Sequence, residues 1–422
     1  MLSQLIDWAE RGLIPDALIR IAIRRLLRRR LRQDRLNSTE AGKLAFADAM
    51  RAVPLAIATG EANEQHYEVP ADFFVAMLGP KLKYSSAFYA SPESNLDSAE
   101  IAMLNMTMER AELVDGHSIL ELGCGWGSLT LAMAEQFPSS QIVAVSNSSS
   151  QKAFIDQKAA QLGCENVTVI TADMREFSID QRFDRVVSVE MFEHMRNYEA
   201  LFERISGWLY PNGKLFFHIF CHLDQPYFFE DQGDGDWMAR NFFTGGLMPS
   251  FDLPEQFQGH LSLEEAWPVN GQHYAKTCEH WLRNLDQTRD RCWPRLPRAG
   301  TQTVQRANGS DGACLSWRAR SFSLIEGESI GLSGTSEWRL PQPNRNQRVG
   351  MGLTGSVRLG VLVQTYINRT AVKKCAIRIT SAVSSVSTRT GQPQPPRLLA
   401  ASHGTLVEHH FSLARLFPPQ RI

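Results

Sequence analysis

The chain has 422 residues, 43% hydrophobic and 21% charged, which is long enough for two or three domains with a sizeable core. A formal net charge of -1 conceals an asymmetry: from Pro294 onward 17 Lys and Arg face 5 Asp and Glu, so an acidic body carries a basic tail. No run reaches the roughly 18 apolar residues of a membrane span, no signal-peptide pattern opens the chain, and Cys124, Cys164, Cys221, Cys278, Cys292, Cys314 and Cys375 form no CxxC or zinc-ligand spacing. A cytoplasmic protein with reduced thiols is therefore expected, with no metal and no nucleic-acid partner.

In chain order, Leu18 to Arg35 places Ile19, Ile23, Leu26, Leu27 and Leu31 at helical spacing among arginines. Two readings stand for this basic amphipathic helix. Either it lies on anionic lipid headgroups, each basic side chain contributing on the order of 1 kcal/mol, or it packs its aliphatic stripe on the body. A helix from Ser98 to Leu113 precedes the short strand Ser118 to Leu122. Strands then alternate with helices: Ile142 to Val145, helix Gln151 to Leu162, Val167 to Thr171, Phe183 to Val189, helix Leu201 to Leu209, and Lys214 to Ile219 after the turn Pro211-Asn212-Gly213. Strands separated by helix-length segments predict parallel βαβ units in a doubly wound α/β sheet. The division expected is an N-terminal helical segment over 1–65, a catalytic domain over 66–292, and a basic Ser/Arg/Pro/Gly-rich tail over 293–422, largely irregular apart from short runs such as Gly360 to Ile367.

Between the first strand and the next helix lies Glu121-Leu122-Gly123-Cys124-Gly125-Trp126-Gly127-Ser128. Doubly wound folds bind nucleotides at this place, the carboxyl edge of the sheet. Gly123 and Gly125 allow a tight turn and close approach of the backbone to a ligand, and Gly127 allows close packing where the helix begins. Glu121 suits a methionine amine, Asn147 at the end of the second strand suits ribose hydroxyls, and Asp173 after the third suits adenine. Together they favour S-adenosylmethionine over a dinucleotide.

Five ordered blocks extend this: HYEVPADFF from His66, LKYSSAFY from Leu82, ELGCGWGSL, VSVEMFEHM from Val187, and FCHLDQPYFFED with the later FFTGGLMPS and NGQHYAKTCEHWL. From about Tyr67 to Leu285 the chain resembles the S-adenosylmethionine-dependent methyltransferases of the cyclopropane fatty acid synthase family, and most of all their coclaurine N-methyltransferase-like branch. The resemblance implies a Rossmann-like class I methyltransferase core with an inserted acceptor-binding region. It implies that Tyr84 and Ser85 contact the cofactor's carboxylate, that Asn147 and Gln151 take its ribose side, and that Asp173, Met174 and Arg175 flank the adenine.

Glu190, Glu193 and His194 follow the fourth strand, at the end where such folds place their chemistry, and offer acids and a base together. A plain reading is a helix N-terminal turn. In the amine branch, the matching Glu and His orient the amine and remove its proton. In the lipid branch, the residue matching Glu193 helps hold a bicarbonate ion, and His218 and Tyr274 match further positions of that site. This chain has Ser86 where the lipid synthases carry Cys, and His218-Ile219-Phe220-Cys221-His222 where they carry an HTIG-like run. Phe216, Phe217, Tyr227, Phe228, Phe229, Trp237, Phe242 and Phe243 are candidates to line an acceptor pocket, about half of them being assigned to packing. A zinc site on His218, Cys221 and His222 would need three alternating strand residues to converge.

The acceptor is thus a lipid or a small amine, with a catalytically impaired cofactor- or lipid-binding protein as the reading of a different class. The last arises because family members resemble WRxFFxACAELFxYxxGxEWxVxHY near their ends, whereas this chain reads GACLSWRARSFSLIEGESIGLSGT from Gly312. One codon choice for Cys314 to Thr335, read after skipping two nucleotides, yields SFMACAELFAYRRGEYWVVRH. A frameshift near Trp293 to Arg298 is therefore expected, and coding DNA that cannot yield that string would disprove it.

Overall fold

The computed structural model describes residues 2–10, 13–37, 39–57, 71–233, 236–241, 243–292 and 356–363. The expected domain boundary near 65, Phe242 and most of the tail, including Cys314 and its surroundings, lie outside them. All described residues belong to one compact unit, Met1–Asn368.

Helices α1 (Leu2–Glu10), α2 (Asp16–Asn37), α3 (Glu40–Arg51), α4 (Ala71–Met77) and α5 (Leu96–Arg110) precede the sheet. The central part runs β1 (Ser118–Leu122), α6 (Ser128–Gln136), β2 (Gln141–Ser146), α7 (Ser149–Leu162), β3 (Val167–Thr171) and β4 (Phe183–Val189). A 3-10 turn at Phe192–His194, α8 (Tyr198–Trp208) and β5 (Leu209–Cys221) follow. The insertion holds β6 (Tyr227–Phe228), α9 (Trp237–Asn241), β7 (Leu247–Met248) and a 3-10 turn at Leu253–Gln256; then come β8 (Ser262–Asn270), α10 (Gln272–Cys292) and β9 (Ser356–Val363).

The seven-stranded sheet has the order β3-β2-β1-β4-β5-β9-β8, every pairing parallel. Its inner strands are near-continuous apolar runs because helices cover both faces: Ile119, Leu120, Leu122, Ala144, Val145, Val186 and Val187 are all buried. Strand order reverses between β1 and β4, so the loops after them part and leave a crevice at their carboxyl ends.

The doubly wound expectation is met, but the tail is not wholly irregular. β9 pairs with β5 from Lys214↔Ser356 to Cys221↔Val363 and with β8 on its other edge.

The aliphatic stripe of α2 turns inward. Leu31 is buried, and Ile19 and Ile23 pack on the cluster that holds Phe73, Phe74 and Trp281. Arg20 clamps Glu279 of α10 at 2.6 and 3.1 Å, and Arg30 lies 3.9 Å over the Tyr227 ring. The body therefore covers most of the stripe considered for lipid, leaving Leu26, Leu18 and Ile21 exposed. α3 adds Ala47 and Met50 to the main core, and α10 turns Tyr274, Cys278, Trp281, Leu282 and Leu285 inward at helical spacing.

Candidate active site

The site begins with backbone that only glycine adopts readily. Gly123, Gly125 and Gly127 have φ of 81°, 52° and 81°. A Cβ on Gly123 would stand 2.8 Å from that of Met191, and one on Gly127 would stand 2.7 Å from Ile155. The N–H groups of Gly123 and Cys124 both donate to Val145 O at 3.0 Å, tying the loop to the end of β2.

Two adjoining recesses, about 660 and 820 Å³ counting their open mouths, share Gly123, Gly125, Met191 and His194. The first is lined by Asn147, Gln151, Asp173 and Met174, together with Ile57 and Thr244. The second is lined by Tyr84, Ser85, Glu121, Trp126, Glu190 and Phe243, among others. Most of the residues named for the cofactor thus converge on one continuous cavity. Gly127 and Arg175 are the exceptions: Gly127 lies against Ile155, and the Arg175 guanidinium and N–H turn onto Asp173 at 2.8–3.0 Å, so Arg175 braces that carboxylate and neither residue lines the cavity.

Two buried donors fit a ligand rich in oxygen and nitrogen. The Trp126 indole Nε1 and the Gln151 Nε2 have no hydrogen-bond partner among the described residues, and a buried donor left so is costly. Gln151 is held by Ser146, whose hydroxyl donates to Oε1 at 2.6 Å, so its amide nitrogen is the free end. Glu121 is 2% exposed and accepts from the Thr130 hydroxyl at 2.5 Å. Burial pushes its carboxyl up to about 7, a rise that a cation bound beside it would oppose.

The Glu-x-x-Glu-His cluster divides. Glu190 has φ 52°, a strained value for a residue with a side chain, and its N–H donates to His218 O at 2.7 Å. Its carboxylate accepts from the Tyr274 hydroxyl at 2.8 Å and from Ser86 N–H at 3.3 Å. His194 lines both recesses, its ring stacked on Phe243 at 5.6 Å. Glu193 is fully buried and accepts from Phe220 N–H at 2.8 Å, tying the 3-10 turn to β5 rather than lining either recess.

His218 sits in a separate crevice with Met103, Thr107, Arg110, Phe216 and Val269. Burial drives its pKa well below the ordinary value, so it is neutral. The zinc alternative fares no better: Cys221 lies in the core on the opposite face of β5, and His222 Nδ1 accepts from Asp224 and Gln225 N–H. Of the aromatic candidates, Phe243 lines the cavity, Phe217 stacks on Phe192 in the core at 4.3 Å, and Phe216 packs beside Trp267. Phe220, Met191 and Thr244 line the cavity and were not named for it, though each lies in one of the ordered blocks FCHLDQPYFFED, VSVEMFEHM and FFTGGLMPS.

The family model for mycolic acid cyclopropane synthetases matches residues 57–298. The chain belongs to that family. It is 36% identical over 344 residues to an (S)-coclaurine N-methyltransferase of Thalictrum flavum subsp. glaucum, covering 80% of this chain and 94% of the relative. To the cyclopropane-fatty-acyl-phospholipid synthase of Escherichia coli K12 it is 33% identical over 228 residues, 53% of this chain and 56% of that enzyme. Among solved structures it is similar to a coclaurine N-methyltransferase bound to N-methylheliamine and SAH, with a TM-score of 0.71 and 32% identity, covering 76% and 93% of the two chains. The protein is an S-adenosylmethionine-dependent methyltransferase, and the cavity beside Gly123 to Gly127 is where its residues fit that cofactor.

Proposed function

We propose that this methyltransferase transfers its methyl group to the nitrogen of a small-molecule amine. One observation carries the reading. Of the residues matched to a bicarbonate site, Glu193 ties to Phe220 N–H and lines neither recess, His218 lies in its own crevice and Tyr274 donates to Glu190, whereas Glu190 and His194 line the cavity with an aromatic wall. The Thalictrum (S)-coclaurine N-methyltransferase supports it too, being covered over 94% of its length against 56% for the phospholipid synthase.

S-adenosylmethionine, when bound, supplies an electrophilic methyl on a sulfonium. An amine attacks only through its lone pair, and at neutral pH it arrives as an ammonium. Glu190, held by Tyr274 and Ser86, offers that ammonium a fixed carboxylate. The His194 imidazole then takes the proton. Phe243 and Phe220, 5.2 Å apart, set an apolar wall that suits an aromatic amine and keeps water from the reacting nitrogen.

Incubation with methyl-labelled cofactor and either a panel of secondary amines or unsaturated phospholipid tests this. Label is expected in amines and to fall at least about 100-fold in His194→Ala. Label confined to acyl chains would overturn the reading.

A further inference from the structure

Lys83 is a buried cation that the reaction outlined above does not use. It lies between α4 and α5, is 3% exposed, and reaches into the second recess beside Glu190 and Ser85. Its ammonium donates to the Ser85 hydroxyl oxygen and, at 2.8 Å, to Ser86 O. Burial draws its pKa down to about 8, while the carboxylates of Glu190 and Glu100 hold it up, so it is mostly charged at neutral pH. The other groups facing it are already engaged. Glu100 accepts from Gly79 and Lys81 N–H at 3.1 and 2.9 Å, and His218 is neutral.

The polarity of these bonds has a consequence. An ammonium has no lone pair, so Ser85 Oγ must be the acceptor, and its hydroxyl hydrogen is left to point elsewhere. Ser85 lines the cavity, and an anion there would receive that hydrogen. Likewise, Lys83 holds Ser86 O on one side of the residue and Ser85 Oγ on the other, which restrains the backbone between them, where Ser86 N–H meets Glu190. We propose that Lys83 is a positioning residue that makes Ser85 a fixed donor to the cofactor's carboxylate and Ser86 N–H a fixed donor to Glu190. One cation thereby couples the cofactor end of the cavity to the acceptor end. The inference rests on placing the cofactor's carboxylate beside Tyr84 and Ser85.

Titration calorimetry with S-adenosylmethionine on Lys83→Met, Ser85→Ala and the double variant tests it without turnover. Each single change is expected to weaken binding about 10- to 100-fold, as losing a hydrogen bond to a charged group does. The double variant is expected to bind no worse than Lys83→Met, because the lysine acts through the serine. Lys83→Gln, neutral and of similar reach, carries the same expectation should methionine prevent folding, and Lys83→Arg is expected to restore most of the affinity. Normal binding by Ser85→Ala would overturn the carboxylate placement itself. Weak binding by Ser85→Ala with normal binding by Lys83→Met or Lys83→Gln, or two losses that add in full, would overturn the role of the lysine alone.

Discussion

Replacing Glu121 with glutamine should make the protein more stable and a poorer binder of its cofactor. The carboxyl is 2% exposed, and the Thr130 hydroxyl offsets only part of its burial. A rise from 4.5 to about 7 corresponds to about 3 kcal/mol against the ionised form once the pH exceeds the raised value. The sign follows from linkage: the stability tied to the protonated carboxyl is fully present below pH 4.5 and is lost as pH climbs through about 7. Glu121→Gln escapes that loss. At pH 8 the ligand-free variant should melt about 5 °C above the wild type, and near pH 4 the two should come together. Glu100, also raised to about 7, titrates alike in both proteins and cancels. Binding moves the other way, because the cation that would relieve the buried carboxylate loses its partner: affinity should drop about 10- to 100-fold at pH 8. Differential scanning calorimetry across this pH range, with calorimetric titration of S-adenosylmethionine, reads both quantities. A variant that melts at or below wild type at pH 8, or that binds undiminished, would refute the reasoning.

Tyr274→Phe removes the hydroxyl that donates to Glu190 at 2.8 Å; turnover at saturating cofactor should fall about 10-fold or more while the Kd for S-adenosylmethionine stays within about 3-fold. His218→Leu, an apolar replacement of similar volume among Met103, Phe216 and Val269, should leave turnover within about 3-fold and the melting temperature unchanged or higher; a large loss of turnover with the fold intact would return His218 to the catalytic set.

The sheet and the cofactor loop were legible because their causes are local. Continuous apolar runs such as Ile142 to Val145 announce strands buried on both faces, and three glycines directly after such a strand announce positive φ at the point where a ligand approaches. The carboxylate cluster was legible only as a cluster. Read as a string, Glu190, Glu193 and His194 look equivalent, but the left-handed φ at Glu190 and the 3-10 turn that follows send their side chains to different places. No spacing rule carries that bend. His218 misled for a related reason: alternation along β5 fixes which residues share its face with Phe216 and Phe220, yet which helix covers that face is a matter of tertiary packing. The stripe on α2 was equally visible, and only packing decides that α10 and its neighbours, not lipid, take up most of it.

Three groups of the site share a character. Glu190 breaks the backbone rule for residues with side chains, Lys83 breaks the rule that ammonium groups stay in water, and Glu121 breaks the same rule for carboxylates. Each departure carries a cost of the order of 1 to 3 kcal/mol, and all three meet at the carboxyl ends of β1 and β4, where the strand order reverses. A fold tolerates such a concentration of unfavourable terms only if the surrounding packing is sufficient to hold it. Here that packing is the rigid parallel sheet with Met191 and Ile155 wedged against the glycine loop. A bound sulfonium would relieve the buried carboxylate of Glu121, so a group that weakens the empty site favours its filled state.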